Sequence, residues 1–475
     1  MPRYRITIRG PNKTAMADLI RKYNIQIFDH GIRSAPETGY TVGAFAVPEE
    51  IRKLQQNGYD VVQHEDADEL GKVRQREVGR GNRYARPARR RSPLSSSRGK
   101  RRMLSDRPLT GPAATSYLNV EEVESAILAA VAAPYSNITE LITLPHPTWE
   151  GRQCHALRIG NGSGAGRAGV YFLGGIHSRE WGSCDILINF IERIEQAYIT
   201  GTALTFGRKT FRAEEIKTIV DTLDIVIFPQ ANPDGRHYSM TTDGPWRKNR
   251  GPAPPDSPHC PGVDINRNYD FLWDFPSHFS SSSVILDSAR PCSDYYHGER
   301  ALSEPETRNA CWIVDNFANI RFFIDLHCSG QDILYRWGDD EDQTTDPNMN
   351  FMNPAYDSAR GVRGSYKEYI PADDLATALS LATALHDGIK AVRGTDYIVE
   401  PAYSLYPTAG TSDDYFYSRH FADASKTKIL SYTLEWGAEF QPPYAEMQKI
   451  IGEITAGLLA FCLEIVGMIQ ARKTA

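Results

Sequence analysis

The sequence lacks an uninterrupted apolar run of membrane-spanning length. Its most apolar tail, Ile450 to Ile469, carries Glu453 and Glu464 at helical spacing, so no membrane span is expected. The opening residues, MPRYRITIRG, hold no apolar core of a secretory leader. That sets a cytoplasmic location as the default expectation, with an extracellular one as the alternative. Cysteine is sparse: seven in 475 residues, an odd number that leaves at least one unpaired within the chain and the redox compartment open. Internal repeats are absent. Basic charge is also scarce outside one segment. Residues 72 to 107 hold 14 Lys or Arg against 2 acids, whereas the remainder holds 39 against 57. Positive charge confined to one stretch is not a basic folded face, so no nucleic-acid partner is expected. The 41% apolar and 10% aromatic content is that of a globular protein, and the length favours more than one domain.

Three regions follow from the pattern. Residues 1–70 read as a small unit of β-α-β-β-α-β order. Its strands are Tyr4 to Ile8, Ile25 to His30, Tyr40 to Val47 and Asp60 to Gln63, and its helices are Lys13 to Tyr23 and Pro48 to Asn57, the order of a ferredoxin-like α+β domain. Residues 71–112, rich in Arg, Gly, Ser and Pro without period, read as a flexible basic linker. Residues 113–475 read as a large α/β domain with a sheet flanked by helices. Four short apolar runs in it have the length of buried strands: Val170 to Leu173, Ile225 to Phe228, Phe322 to Leu326 and Ile429 to Leu434. Each leads into a polar cluster: His177-Ser-Arg-Glu180, Asn232-Pro-Asp-Gly235, His327-Cys-Ser-Gly330 and Glu435. Ligands of open α/β sheets bind beyond the carboxyl ends of the strands, so the four clusters point to one site.

The chemistry of these clusters suggests a metal. His177 and Glu180 are three apart on a turn after a strand, and His327 is the best third ligand, completing a set that catalytic zinc uses while keeping one position open. A ligating imidazole usually gives its second N–H to a carboxylate, for which Asp264 and Asp325 are available. Any single arginine is most often a surface residue. Arg267, between Asn266 and Asn268 in a Gly-bounded loop, instead suits a planar fork for a carboxylate.

These motifs, together with Arg247-Lys-Asn-Arg250, Val263-Asp-Ile-Asn-Arg-Asn268, Ser303-Glu-Pro-Glu306, Tyr406 and Tyr432-Thr-Leu-Glu435, stand in the order seen in the zinc metallocarboxypeptidases of the pancreatic A and B type. The resemblance covers residue 116 to the C-terminus. It implies an exopeptidase that removes C-terminal residues from peptides and proteins, with one zinc ion on His177, Glu180 and His327. It implies Glu435 as general base and acid, Arg250 as the oxyanion donor, and Asp264 behind the first zinc histidine. Asn266, Arg267 and Tyr406 would clamp the substrate carboxylate, and Arg179 would line the next subsite. Cys260 and Cys292 fall where such enzymes carry a disulfide. Asp413, at the position of the family's pocket floor, would favour C-terminal Lys or Arg, although Ser412-Asp-Asp414 also suits a helix cap. Residues 1–70 would match the family's pro-segment and inhibit in cis, with Arg89-Arg-Arg91 and Lys100-Arg-Arg102 as tryptic targets. The alternatives are a zinc deacylase or amidase acting on acylated amino acids, and a catalytically inactive binding module.

Overall fold

The computed structural model describes residues 1–12, 15–16, 19, 22–23, 25–28, 33–35, 39–85, 115–162, 166–283, 289–362, 364, 366–404 and 406–474. An eight-stranded mixed sheet forms the large α/β body. From edge to edge its strands are Ile398–Pro401, Asp332–Tyr335, Leu430–Glu435, Ile320–His327, Ala168–Gly174, Leu223–Phe228, His155–Ile159 and Thr139–Thr143. The four strands expected from the apolar runs are the four central ones, and they are mutually parallel. Their period of two divides each strand between two cores. Val170 and Phe172 face a layer containing Leu187, Phe190 and Ile454, whereas Tyr171 and Leu173 face Ala310, Ile313 and Phe416. Because both faces are covered by helices, the strands carry apolar residues continuously.

Register brings the chemistry together. His327 pairs with Glu435, and Leu326 pairs with Gly174 on the other side, so the polar clusters emerge at one edge of the sheet. The C-terminal helix Tyr444–Thr474 contains a segment long and apolar enough to cross a membrane by length and composition, and 72% of that segment is buried within the fold. It serves as a core helix against Gly182–Thr200 and Ala372–Arg393.

The N-terminal unit has its own antiparallel sheet, with Tyr4–Gly10 central between Gly39–Ala46 and Asp60–Asp66, and Gln26–Ile27 beyond. Helix Pro48–Gln56 buries Ile51 and Leu54. The expected helix over Lys13 to Tyr23 falls largely outside the described residues. The expected linker, by contrast, begins too early at residue 71. A further helix spans Ala67–Gln75, capped by Asp66, whose carboxylate accepts from the N–H groups of Asp68 and Glu69. Its composition is polar and it contains Gly71, so propensity does not announce it. Tertiary contact does: a Cβ at Gly71 would lie 3.2 Å from the Cα of Gly244. Residues 76–85 then run along the large α/β body. Most of the remaining linker, 86–112, lies outside the described residues.

Candidate active site

The first turn of the site depends on Gly175, which adopts φ +69° just beyond its strand, and whose Cβ would sit 2.9 Å from Cys184 Sγ. Only glycine fits both conditions. Two residues on, the Nδ1 of His177 lies 2.8 Å from Glu180 Oε1 and 3.0 Å from His327 Nδ1. All three side chains are buried. On the far side of each ring an aspartate waits. His177 Nε2 is 3.1 Å from Asp264 Oδ1, and His327 Nε2 is 3.0 Å from Asp325 Oδ2. With an aspartate facing the Nε2 side of each ring, both Nδ1 lone pairs are left to converge beside the Glu180 carboxylate. Such an arrangement is repulsive unless a cation lies between them, so the donor set fits a zinc ion. The ligand atoms of the three residues all lie within 4.8 Å of one another.

Charges around this centre are tightly balanced. Burial alone would raise Glu180, yet His177 and His327 pull it down to about 2. For Asp264 burial is likewise overridden, by Arg247, His177 and Arg267, which hold it well below the usual carboxylate range. His327 shows the opposite sign: burial would lower it, but Asp325 and Glu180 raise it well above an ordinary imidazole. The Cys328 thiol takes no part. Its N–H donates to Glu180 Oε2 at 3.1 Å while its Sγ turns to the carbonyl of Phe440.

A second group faces the same cavity, whose volume is about 40 Å³. Arg267 donates to the Tyr406 hydroxyl at 2.8 Å and to the carbonyl of Asn266 at 2.6 Å. The Asn266 side-chain oxygen accepts from the Ser412 N–H at 2.8 Å, and the Ser412 hydroxyl donates to Asp325 at 2.6 Å. A continuous chain of contacts therefore runs from Tyr406 to His327. Gly410, at φ +66°, lets the 406–413 segment pass so close to Arg267 that a Cβ would lie 2.2 Å from its carbonyl oxygen. Asp413 and Glu435 also line the cavity. Asp413 Oδ2 accepts from Thr433 Oγ1 at 3.1 Å. It opens helix Ser412–Ala422 from within its first turn, where Thr411 is the residue preceding the helix. Burial, then the neighbouring Asp413, push Asp414 well above the usual carboxylate range.

One expected residue is not brought here. Arg250 stacks its guanidinium 3.9 Å over Tyr238 and 4.9 Å over Trp246, with Glu150 at 3.9 Å, and it does not line the cavity. Of the two arginines in that motif, the one lining the cavity is Arg247, buried and 2.9 Å from Asp264. The two stand three positions apart in a segment outside any helix or strand, and their side chains diverge. The resemblance singles out Arg250 of Arg247-Lys-Asn-Arg250, whereas the position of Asp264 favours Arg247. Thr433 and Ser412 were also missed, since hydroxyl side chains carry no distinctive spacing. Arg179 lies 4.1 Å over the Phe440 ring and 3.5 Å from Asp294, at the mouth rather than in the cavity. Cys260 and Cys292 are bonded to each other.

The zinc carboxypeptidase family model matches residues 124–456. The chain belongs to that family. Carboxypeptidase B of Astacus astacus is 30% identical over 303 residues, covering 63% of this chain and 82% of that protein. Human carboxypeptidase A1 is 31% identical over 310 residues, 62% of this chain and 67% of the relative. An inactive metallocarboxypeptidase, ECM14 of Arthroderma otae, is 30% identical over 294 residues, 60% of this chain and 44% of its own length. Among solved structures, carboxypeptidase A of Helicoverpa armigera superposes with a TM-score of 0.69 at 19% identity, over 97% of this chain and 96% of that one. Thrombin-activatable fibrinolysis inhibitor gives 0.67 at 18%, over 98% and 100%. These two likenesses establish that this carboxypeptidase-family chain shares their fold over nearly its whole length.

Proposed function

We propose that the protein is a zinc-dependent carboxypeptidase that hydrolyses the last peptide bond of peptides and proteins. The observation that carries the reading is that Glu435, Arg247, Arg267 and Asp413 share one cavity with His177 and His327. His177, Glu180 and His327 would hold one zinc ion per chain, which when bound supplies a Lewis acid and lowers the pKa of water. Glu435 takes the proton from the attacking water and returns it to the leaving amine. Arg247, anchored by Asp264, presents its guanidinium to the negative charge that develops on the scissile carbonyl oxygen. Arg267, aligned by Tyr406 and Asn266, binds the terminal carboxylate and so restricts cleavage to the chain end. Arg179 would border the next subsite.

Asp413 favours a C-terminal Lys or Arg, because a buried carboxylate gains most from a cationic partner. Against an inactive module stands the intact set of Glu435, three ligands and clamp. Against an acyl-amino-acid amidase stands the Arg267–Tyr406 pair.

Residues 1–70 act as an intramolecular lid. Ile6, Ile8 and Val42 share one apolar cluster with Leu334, Ala402 and Tyr406, and those last three also line the cavity. Phe28 and Phe45 stack on Phe440 beside Arg179. A space of about 40 Å³ holds a water or two, far less than a lysine or arginine side chain needs. The tests are a metal assay and C-terminal trimming of a peptide mixture read by mass, before and after the N-terminal fragment is displaced. Trimming confined to C-terminal Arg and Lys, and increased by displacement, is expected. No trimming by zinc-loaded, lid-free protein would overturn the enzymatic reading.

A further inference from the structure

The segment between the lid and the basic run is built onto the catalytic body. Backbone bonds cross between Glu77 and Tyr117 and between Gly79 and Tyr117, at 2.9 and 2.8 Å, forming an isolated parallel bridge. Asn119, which caps helix Val120–Ala130, donates its amide to the carbonyls of Gly79 and Gly81. Glu77 accepts from the N–H of Tyr444 at the start of the C-terminal helix. Arg83 closes a fork on Glu122 through its backbone N–H and guanidinium, at 3.0, 2.7 and 3.2 Å, and the Tyr84 hydroxyl donates to Glu192 at 2.8 Å. Glu122 is 2% exposed, so Arg83 is the cation that balances a buried carboxylate. Packing is close enough that a Cβ at Gly79 would come within 2.6 Å of both Arg83 and Glu122 and 3.1 Å of the Tyr117 carbonyl.

Arg83 also donates to the Ser116 hydroxyl at 2.8 Å. Residues 83 and 116, which flank the part of the chain outside the described residues, are thus in direct contact. Everything that ties residues 77–84 to the body lies outside the basic run that contains Arg89-Arg-Arg91 and Lys100-Arg-Arg102.

We propose that residues 77–84 are a clasp that keeps the N-terminal unit docked after the chain is cut within the basic run. A cut there removes only the covalent link. The fragment that would have to leave includes the clasp, so departure requires breaking the Arg83–Glu122 fork, the Glu77–Tyr117 bridge and the apolar cluster together. Cleavage and opening become two separate events, and the second is controlled by the clasp. The regulatory consequence rests on the lid reading above, but the docking itself is measured by retention of a fragment rather than by turnover, so the two fail separately.

The test uses the full chain with a site for one sequence-specific protease, placed either between Pro93 and Leu94 or between Arg76 and Glu77. After cleavage at the first position, gel filtration at micromolar concentration should show the N-terminal fragment coeluting with the catalytic body. After cleavage at the second, which leaves the clasp on the catalytic side, residues 1–76 should dissociate at least tenfold more readily. Gly79→Val in the first arrangement should weaken retention in the same direction, with thermal melting of the uncut variant confirming that it is folded. Immediate separation after the first cut would overturn the proposal. Equal retention of the two fragments would also overturn it, by assigning the docking to the apolar cluster alone.

Discussion

Replacing Arg247 and Arg250 in parallel tests whether geometry or spacing identifies the oxyanion donor. Arg247 is buried at the cavity with Asp264 behind it. Loss of one preorganised donor to a developing oxyanion lowers kcat by about 10²–10³, or ~2.7–4 kcal/mol. Truncation to Ala would also leave Asp264 charged and unpaired in the interior, which destabilises by about 3–5 kcal/mol. Arg247→Lys is therefore the informative change: it keeps a cation for Asp264 but loses the planar fork. We expect Arg247→Lys to fold, to retain zinc, and to lose about two orders of magnitude in kcat with a modest change in KM. Arg250 only stacks on Tyr238 and Trp246, a contact worth about 0.5–1 kcal/mol of stability, so Arg250→Ala should stay within about threefold of the parent. Steady-state kinetics on a short peptide ending in arginine, with zinc content and melting temperature measured alongside, decide the matter. A hundredfold loss in Arg250→Ala beside a near-normal Arg247→Lys would refute the assignment.

Glu435→Gln should lose about two to four orders of magnitude in turnover with its zinc retained; a Gln variant that turns over normally or loses the metal ends the general-base role. Asp413→Asn should erode cleavage after Arg and Lys more than after Leu or Phe in a competition of peptides, and an unchanged ranking would mean that Asp413 only shapes the helix start. Chelation should abolish hydrolysis, and titration with zinc should restore it at one ion per chain. Burial, followed by the charge of Glu304, pushes Glu306 up to about 8. Since the unfolded value is near ~4.3, the folded state holds the extra proton between them, and this group's stabilising contribution is full below pH ~4.3 and lost as pH rises through about 8. Glu306→Gln should flatten the decline in melting temperature between pH 5 and 9, and parallel curves for the two proteins would contradict it.

Much of the site was legible because strand-end chemistry is dense in sequence. Four apolar runs each ended in a polar cluster, and the parallel register of the central strands places those clusters together. The residues proposed as metal ligands and clamp carry distinctive residue types, and the structure brings them together around one cavity. Arg250 was named rather than Arg247, because which side chain turns toward Asp264 is not written in the spacing. Helix Ala67–Gln75 was invisible for a related reason. Its stability comes from Gly71 lying against Gly244 and from Arg74 donating to the Gln441 carbonyl, contacts between positions far apart in the chain. Residues 76–85 looked like linker because a polar strap held by hydrogen bonds has no hydrophobic period.

The run of contacts from Tyr406 through Arg267, Asn266, Ser412 and Asp325 to His327 would make the proposed anchor for the substrate and the proposed cradle for the metal parts of one frame. Ordering either end restricts the other. Reciprocity then follows: whatever factor the ion adds to the affinity for a terminal carboxylate, that carboxylate adds to the affinity for the ion. Ser412 sits at the middle of this frame, and its replacement by alanine would remove the hydroxyl bond to Asp325 while keeping the backbone N–H bond to Asn266.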